Sequence, residues 1–113
     1  MAYNPKISVI MSVFNGNNFL EKSILSILNQ TFADFEFIII NDGSTDNSLE
    51  IIDKFRKLDE RIKVYNQKNI GLTKSLNKGL KKSKGKIIAR QDADDISYKN
   101  RFEKQLIWVE KEN

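Results

Sequence analysis

The segment Phe35-Glu36-Phe37-Ile38-Ile39-Ile40-Asn41-Asp42-Gly43 joins a short apolar run to an abruptly polar end. A short apolar run bounded by turn residues predicts a buried β-strand, here over residues 35–40. Asn and Asp followed by Gly are the residues that turns prefer, so the strand is expected to end in a turn at Asn41-Asp42-Gly43. The chain therefore contains at least one interior strand whose far end carries polar side chains.

Strand and helix patterns alternate on both sides of this segment. Strand patterns cover residues 7–13, 35–40, 62–65 and 86–90. Helical spacing of apolar residues covers about 19–30, 44–58 and 72–82, and a last helix begins near Asn100. In the second helix, Ser44, Thr45 and Asp46 are expected to cap the N-terminus. Such alternation predicts parallel strands joined by right-handed crossovers in a three-layer α/β domain.

Polar loops follow three of the predicted strands, at Phe14-Asn15-Gly16, at Asn41 to Ser44 and at Gln91 to Asp95. Ligands of parallel α/β sheets bind beyond the carboxyl ends of the strands, where the strand order reverses. We therefore expect these three loops to meet in one crevice.

The run Arg90-Gln91-Asp92-Ala93-Asp94-Asp95 places three carboxylates within four residues. In an extended segment Asp92 and Asp94 share one face, while Ala93 points away. Two carboxylates on one face suit a hard divalent cation such as Mg²⁺ or Mn²⁺, which takes oxygen ligands and often a substrate phosphate. A solvated acidic turn is the alternative that these residues alone leave open.

Composition narrows the possible chemistry. The 113 residues suffice for one domain with a core, and they include neither cysteine nor histidine. Disulfides, thiolate nucleophiles, Cys/His zinc sites and a histidine base are therefore excluded. No apolar run approaches the roughly 20 residues of a membrane span, and a reducing cytoplasmic setting fits this composition.

The formal net charge of +4 comes mostly from lysine, with a cluster between Lys74 and Lys86. A nucleic-acid-binding patch is one interpretation of that cluster, and it predicts steeply salt-dependent affinity. No aromatic residues interleave these lysines as a stacking surface requires, so a solvated helix face is favoured and nucleic acid is not expected as a partner.

Four blocks, in this order, carry a resemblance to a known family. Pro5 to Asn15 is similar to the opening strand of family 2 glycosyltransferases. Gln30-Thr31-Phe32 with Phe35 to Asp46 resembles the second block of that family, and Asn69 to Gly79 resembles the third. Ala89 to Asp95 matches the family's DxD motif with an additional Asp. The resemblance covers nearly the whole chain, and four blocks in the right order are far more specific than any one of them.

The resemblance implies a GT-A fold, that is, a Rossmann-like three-layer α/β/α nucleotide-binding half with a mostly parallel sheet. It also implies a nucleotide-sugar donor such as a UDP-sugar, a saccharide or lipid-linked acceptor, Mn²⁺ or Mg²⁺, and inversion at the anomeric carbon. Surface polysaccharide or glycolipid synthesis is the role expected from the family. The alternative is a nucleotide-binding module without catalytic activity.

The same resemblance assigns roles to individual residues. The main chain near Val13 and Phe14 lines the nucleoside pocket, with Phe14 packing on the base or ribose. Asp42 accepts a hydrogen bond from the base. Asp94 is the main metal ligand, and Asp92 faces the ribose and the metal. Asn15 and Ala93 complete the donor-binding set.

Some positions depart from the family pattern. Ser12 replaces the usual proline, Asn41 replaces the first of two acids, and Leu76 stands where many members have arginine. Asp95 is left open as an acceptor-side contact, an outer support of the metal ligands or a loop residue. Arg90 either helps to hold the pyrophosphate or forms a structural salt bridge with Asp92.

The base that deprotonates the acceptor lies beyond residue 113 in this family. We therefore expect residues 1–113 to form a single domain, the N-terminal donor-binding part of a truncated enzyme, possessing donor-site residues but no catalytic base. In the complete protein it is expected in the cytoplasm, at the inner face of the membrane if an anchor is present. The apolar stripe of the last helix, with Trp108, would allow a homodimer.

Overall fold

Four strands and four helices alternate along residues 4–112, which are the residues that the computed structural model describes. The elements are β1 (Ile7–Val13), α1 (Asn17–Leu28), β2 (Phe35–Asp42), α2 (Ser48–Leu58), β3 (Ile62–Gln67), α3 (Leu72–Lys82), β4 (Ile87–Arg90) and α4 (Arg101–Glu112). The predicted α/β class is confirmed. Residues 1–3 and 113 of the predicted domain lie outside the described part.

All four strands are parallel, in the order β3-β2-β1-β4. Ile7 of β1 pairs with Phe35 of β2 on one side and with Ile87 of β4 on the other. The chain thus proceeds outward from β1 to β3 and then crosses back to β4. The strand order reverses between β1 and β4, so the predicted binding crevice lies beyond the carboxyl ends of these two strands.

The two faces of the sheet are packed unequally. Alternate residues of β1, from Ile7 to Val13, lie in a core shared with apolar side chains of α1, α2 and α4. The rings of Phe35 and Phe102 meet edge to face at 5.6 Å in this core. The other face buries Ile10, Ile38 and Ile40 and is covered by α3. Together these layers form the predicted three-layer arrangement.

Strands β2 and β3 are longer than their apolar patterns predict. The parallel ladder continues through Asn41 paired with Asn66 and through Asp42 paired with Gln67. The expected turn therefore begins only at Gly43, whose φ is 76°. Hydrogen bonding between strands, which local patterning does not show, extends both strands by polar residues.

Helix α2 begins after the residues that were predicted to cap it. The N-cap is Asn47, which makes no side-chain cap bond, and the helix begins at Ser48. Asp46 nevertheless accepts a hydrogen bond from the Ser48 N–H at 2.9 Å. Of the three residues expected to cap the helix, only Asp46 thus satisfies a helix N–H directly.

Helix α4 carries exposed apolar side chains, with Trp108 68% exposed. The homodimer expected from this stripe stays a prediction. Among the described residues, none of the helices has the length and apolar character needed to cross a bilayer.

Candidate functional site

The loops that leave the carboxyl ends of the strands contact one another. The Asn15 N–H donates to Ser44 Oγ at 3.0 Å, which joins the β1–α1 and β2–α2 loops. A Cβ added to Gly16 would lie 3.3 Å from the Cβ of Ala93, so the β1–α1 loop also packs on the acidic loop after β4. The predicted convergence of the three loops is confirmed.

Residues 13–15 carry the turn out of β1. Val13 is buried, whereas the Phe14 side chain is 53% exposed. Asn15 adopts a left-handed conformation with φ of 52°, which Asn tolerates better than most residues. Its Oδ1 accepts hydrogen bonds from the Thr45 N–H at 2.7 Å and the Asp46 N–H at 3.3 Å. The Asn15 side chain thus fixes the loop that presents Phe14.

Asp42 is buried, and its carboxylate accepts hydrogen bonds from the segment that follows β3. Oδ1 accepts from Gln67 Nε2 at 2.9 Å and from the Ile70 N–H at 2.8 Å. Oδ2 accepts from the Gly71 N–H at 3.0 Å and from Asn69 Nδ2 at 3.4 Å. The direct effect of this carboxylate is to hold the β3–α3 loop, and the expected bond to a nucleotide base stays a prediction.

The ionisation of Asp42 follows from these contacts. Burial raises the pKa of its carboxyl, but the hydrogen bonds from Ile70, Gln67 and Gly71 outweigh burial and hold the pKa below its ordinary value. Asp42 is therefore an anion at neutral pH.

The acidic loop forms a turn, which corrects the extended geometry expected from the sequence. The Asp95 N–H donates to the Asp92 carbonyl at 3.0 Å, with Ala93 and Asp94 at the turn. Carboxylate oxygens of Asp92, Asp94 and Asp95 consequently lie within 4.8 Å of one another. The turn thus adds Asp95 to the two acids that an extended strand would have placed on one face.

The three carboxylates fit a divalent cation by their chemistry, because Mg²⁺ and Mn²⁺ prefer oxygen ligands and one oxygen of each side chain converges on the same place. Asp94 and Asp95 are exposed and Asp92 is half-buried, so the cluster is open to a further ligand such as a phosphate. No other group of three or more acidic side chains within residues 4–112 converges in this way.

Arg90 forms the salt bridge that the sequence left as one of two options. Its Nε donates to Asp92 Oδ1 at 3.0 Å, and both side chains are about half exposed. Exposed pairs of this kind contribute little to stability, about 0–1 kcal/mol. The pair does fix one oxygen of Asp92.

A cleft of about 650 Å³ borders the acidic loop on the side of α4. Arg90, Asp95, Tyr98, Arg101 and Lys104 are among its lining residues. Arg90 and Asp95, for which the sequence allowed more than one role, therefore both line this cleft.

Several residues of the site escape sequence reasoning. Gln91, Ser23 and Arg101 form a polar network beneath the acidic turn, and Asn69 and Gln67 bind Asp42. Their partners lie far away along the chain, so no local motif marks them. Ser23 alone gives a signal, because it is a polar residue within the buried stripe of α1 and must find a partner there.

The fold and the site together define a class. This is a parallel α/β domain with a Rossmann-like crevice at the switch point, where an acidic turn packs against the loop that carries the exposed Phe14. The chain belongs to glycosyl transferase family 2, whose model matches residues 8–113.

Relatives and solved structures agree with this membership. The chain is 48% identical to an uncharacterised glycosyltransferase of Rickettsia bellii over 97% of its length, and 45% identical to one of Haemophilus influenzae over 95%. The structure of TarS residues 1–349 from S. aureus in complex with UDP-GlcNAc superposes with a TM-score of 0.87 at 28% identity, over 94% of this chain. The GT-A fold is thereby confirmed.

The chain spans only part of these proteins. It covers 16% of the Rickettsia bellii relative, 33% of the Haemophilus influenzae relative and 31% of the TarS chain. The similarity therefore concerns only a minor portion of each of these proteins.

Proposed function

We propose that this chain forms the donor-binding part of an inverting glycosyltransferase that uses a nucleotide sugar and a divalent cation. The observation that carries the proposal is the acidic turn of Asp92, Asp94 and Asp95, packed at the switch point against the loop of Phe14. Support comes from TarS, which has been solved in complex with UDP and with UDP-GlcNAc. A UDP-sugar is accordingly the proposed donor.

The nucleoside is proposed to bind along the main chain of Val13 to Asn15. Phe14 supplies an exposed ring for the base or ribose, and Ala93 lies against Gly16 between this loop and the acids. Asp42 is an anion at neutral pH, and we propose that it accepts a base N–H in place of its longest hydrogen bond, the one from Asn69 Nδ2 at 3.4 Å.

The diphosphate is proposed to lie over the acidic turn, with Asp94 as the main metal ligand and Asp92 as a second. A cation held by these oxygens supplies positive charge that stabilises the leaving diphosphate. Asp95, which shares the cluster and faces the cleft of α4, is proposed to act either as a further ligand or toward the acceptor.

In an inverting transfer, an acceptor oxygen bonds to the anomeric carbon from the face opposite the diphosphate, whose C–O bond breaks. The hydroxyl proton passes to a carboxylate base. Because the chain spans a minor share of its relatives, we propose that the base and the acceptor pocket belong to other parts of the whole protein.

The acceptor is proposed to be a saccharide or lipid-linked glycan of a surface polymer, assembled on the cytoplasmic side. One relative supports this class, the Bacillus subtilis protein TuaG, whose name assigns it to teichuronic acid biosynthesis and which is 37% identical over 92% of this chain. In the whole protein, transfer is tested by release of UDP from UDP-GlcNAc in the presence of candidate glycan acceptors.

The nucleotide site is tested by calorimetric titration of the chain with UDP, GDP, CDP and dTDP in Mn²⁺. We expect UDP to bind most tightly, and Phe14→Ala to weaken that binding about tenfold or more, since stacking of a base on an aromatic ring contributes about 1–3 kcal/mol. Phe19→Ala is the matched control, because Phe19 is equally exposed but lies on α1. Absence of nucleotide binding, or equal losses in both variants, would contradict the proposal.

A further inference from the structure

The acidic turn rests on a buried polar network centred on Gln91. The Gln91 side chain is only 2% exposed. Its Nε2 donates to the Asp95 carbonyl at 2.8 Å and to Ser23 Oγ at 3.1 Å. Its Oε1 accepts from Ser97 Oγ at 2.7 Å and from Arg101 Nη1 at 3.0 Å. One side-chain amide thus joins α1, the acidic turn and the first residue of α4.

Arg101 closes the same network from the side of α4. Its Nη1 also donates to Ser97 Oγ at 3.0 Å, and its Nη2 donates to the Arg90 carbonyl at 2.9 Å. These acceptors lie just before and just after the acidic turn. Burial lowers the pKa of the Arg101 guanidinium while the charge of Asp95 raises it, so the cation also interacts with the acidic cluster.

The network holds the main chain of the turn and leaves the carboxylates out. Ser23, which is fully buried, donates from Oγ to the Asp92 carbonyl at 3.0 Å. Together with the bond from Gln91 to the Asp95 carbonyl, it fixes the residues at both ends of the acidic turn. None of these bonds occupies a carboxylate oxygen. The Asp92 Oδ1 atom is bound by Arg90, which is not one of the three network residues.

Holding the main chain matters because the carboxylates repel one another. Three anionic side chains with oxygens within 4.8 Å favour an open loop unless something outside the cluster fixes the turn. Buried, fully satisfied polar networks are the structures that fix such a conformation, and loss of one member leaves its partners without hydrogen bonds.

We infer that Gln91 is a positioning residue, which holds the Asp92–Asp95 turn in the conformation where the three carboxylates converge before any cation is bound. The inference rests on the proposed function in one respect, namely that the turn serves to bind a cation. Whether Gln91 fixes the turn can, however, be measured without metal or nucleotide.

The test compares Gln91→Leu with the wild-type chain by two measurements. Amide hydrogen exchange of residues 92–97, followed by NMR without metal, is expected to become about tenfold faster in the variant while exchange in β1 and β2 is unchanged. Mn²⁺ affinity, measured from the EPR signal of the free ion, is expected to fall about 10- to 100-fold, as for other residues that support metal ligands.

The control is Gln105→Leu, the same substitution at an exposed position in the neighbouring cleft, and it should change neither measurement. If Gln91→Leu does not fold, Ser97→Ala removes one hydrogen-bond partner of both Gln91 and Arg101, and is expected to cause a smaller change in the same direction. Unchanged exchange of residues 92–97 in a folded Gln91→Leu or Ser97→Ala variant overturns the inference. Failure of the wild-type chain to bind Mn²⁺ contradicts the proposed function instead, and the exchange data still decide the role of Gln91.

Discussion

At the scale of single residues, Asp42 combines burial with a full set of hydrogen-bond donors. Gln67 Nε2, Asn69 Nδ2 and the N–H groups of Ile70 and Gly71 all point at its two oxygens. A carboxylate is the one side-chain group of this size that can accept all of them without offering a hydrogen of its own. Asp42 therefore fixes the β3–α3 loop against β2, whatever ligand lies above it.

Replacing Asp42 by Asn keeps the shape of the side chain but turns one of its two acceptor oxygens into a hydrogen-bond donor. The new amide hydrogens would face donors, so the free energy of unfolding should fall by about 3 kcal/mol. Chemical denaturation at pH 7 measures this loss. Asp53→Asn, at a partly exposed position on α2, is the control and should change stability by less than about 0.5 kcal/mol. A loss equal to that of the control would contradict the clamping role of Asp42.

The pKa of Asp42 gives this stabilisation a definite pH dependence. The pKa is lower in the folded chain than the ordinary 3.8, so the folded state favours the anion. The contribution is complete above pH about 4 and is lost as the pH falls through the lower, folded pKa. The difference in unfolding free energy between wild type and Asp42→Asn should therefore be constant from pH 7 to 5 and narrow below pH about 4. A difference that widens in acid would contradict the direction of the shift.

At the scale of elements, α3 approaches the sheet through its small residues. Ser75 and Gly79 are the buried positions of this helix, and a Cβ added to Gly79 would lie 2.5 Å from Ile10 Cγ2. That methyl is attached directly to the Cβ of a buried side chain and has little freedom to move away. The close approach of α3 thus depends on Gly79 having no side chain.

Gly79→Ala should consequently destabilise the chain although alanine is the better helix former. Overpacking costs about 1–3 kcal/mol, against a gain in helix propensity of about 1 kcal/mol. Thermal unfolding measures the balance. Asn77→Ala, on the exposed side of the same helix, should stabilise slightly through propensity alone. Equal stabilisation by both substitutions would show that α3 has room against Ile10.

Sequence patterns locate the elements well because the pattern within each one is local. The bounds predicted for β1 and α3 agree with the structure. They fall short for β2, because Asn41 and Asp42 are polar and belong to the strand only through pairing with Asn66 and Gln67. Extension of a strand by polar residues depends on a partner elsewhere in the chain, and a local pattern carries no trace of that partner.

The same limit applies to the candidate site. The three acids are evident from their crowding, and the order of strands brings their loop to that of Phe14. The residues that hold them are hidden, because Gln91 meets Ser23 across 68 positions and Asp42 meets Ile70 across 28. Sequence reasoning thus finds the exposed chemistry of this site and misses its buried supports.

At the scale of the whole molecule, the loops at the carboxyl edge form one connected unit. Asn15 binds the β2–α2 loop, Asp42 binds the β3–α3 loop, and Ser23 binds the acidic turn. The loop of Phe14 and the acidic turn are therefore held by hydrogen bonds from several elements. A rigid unit of this kind agrees with the proposal that the nucleoside binds along the loop of Phe14 and the diphosphate binds over the acidic turn.

We propose above all that the nucleotide and the divalent cation share this crevice through Asp94. The measurement that tests it most directly is calorimetric titration of the chain with UDP, with and without Mn²⁺, in wild type and Asp94→Asn. We predict that Mn²⁺ strengthens UDP binding to the wild type at least about tenfold, and that Asp94→Asn abolishes this gain because it removes a charged ligand. The control Asp53→Asn should keep it. An equal effect of Mn²⁺ on UDP binding in wild type and Asp94→Asn would contradict the account.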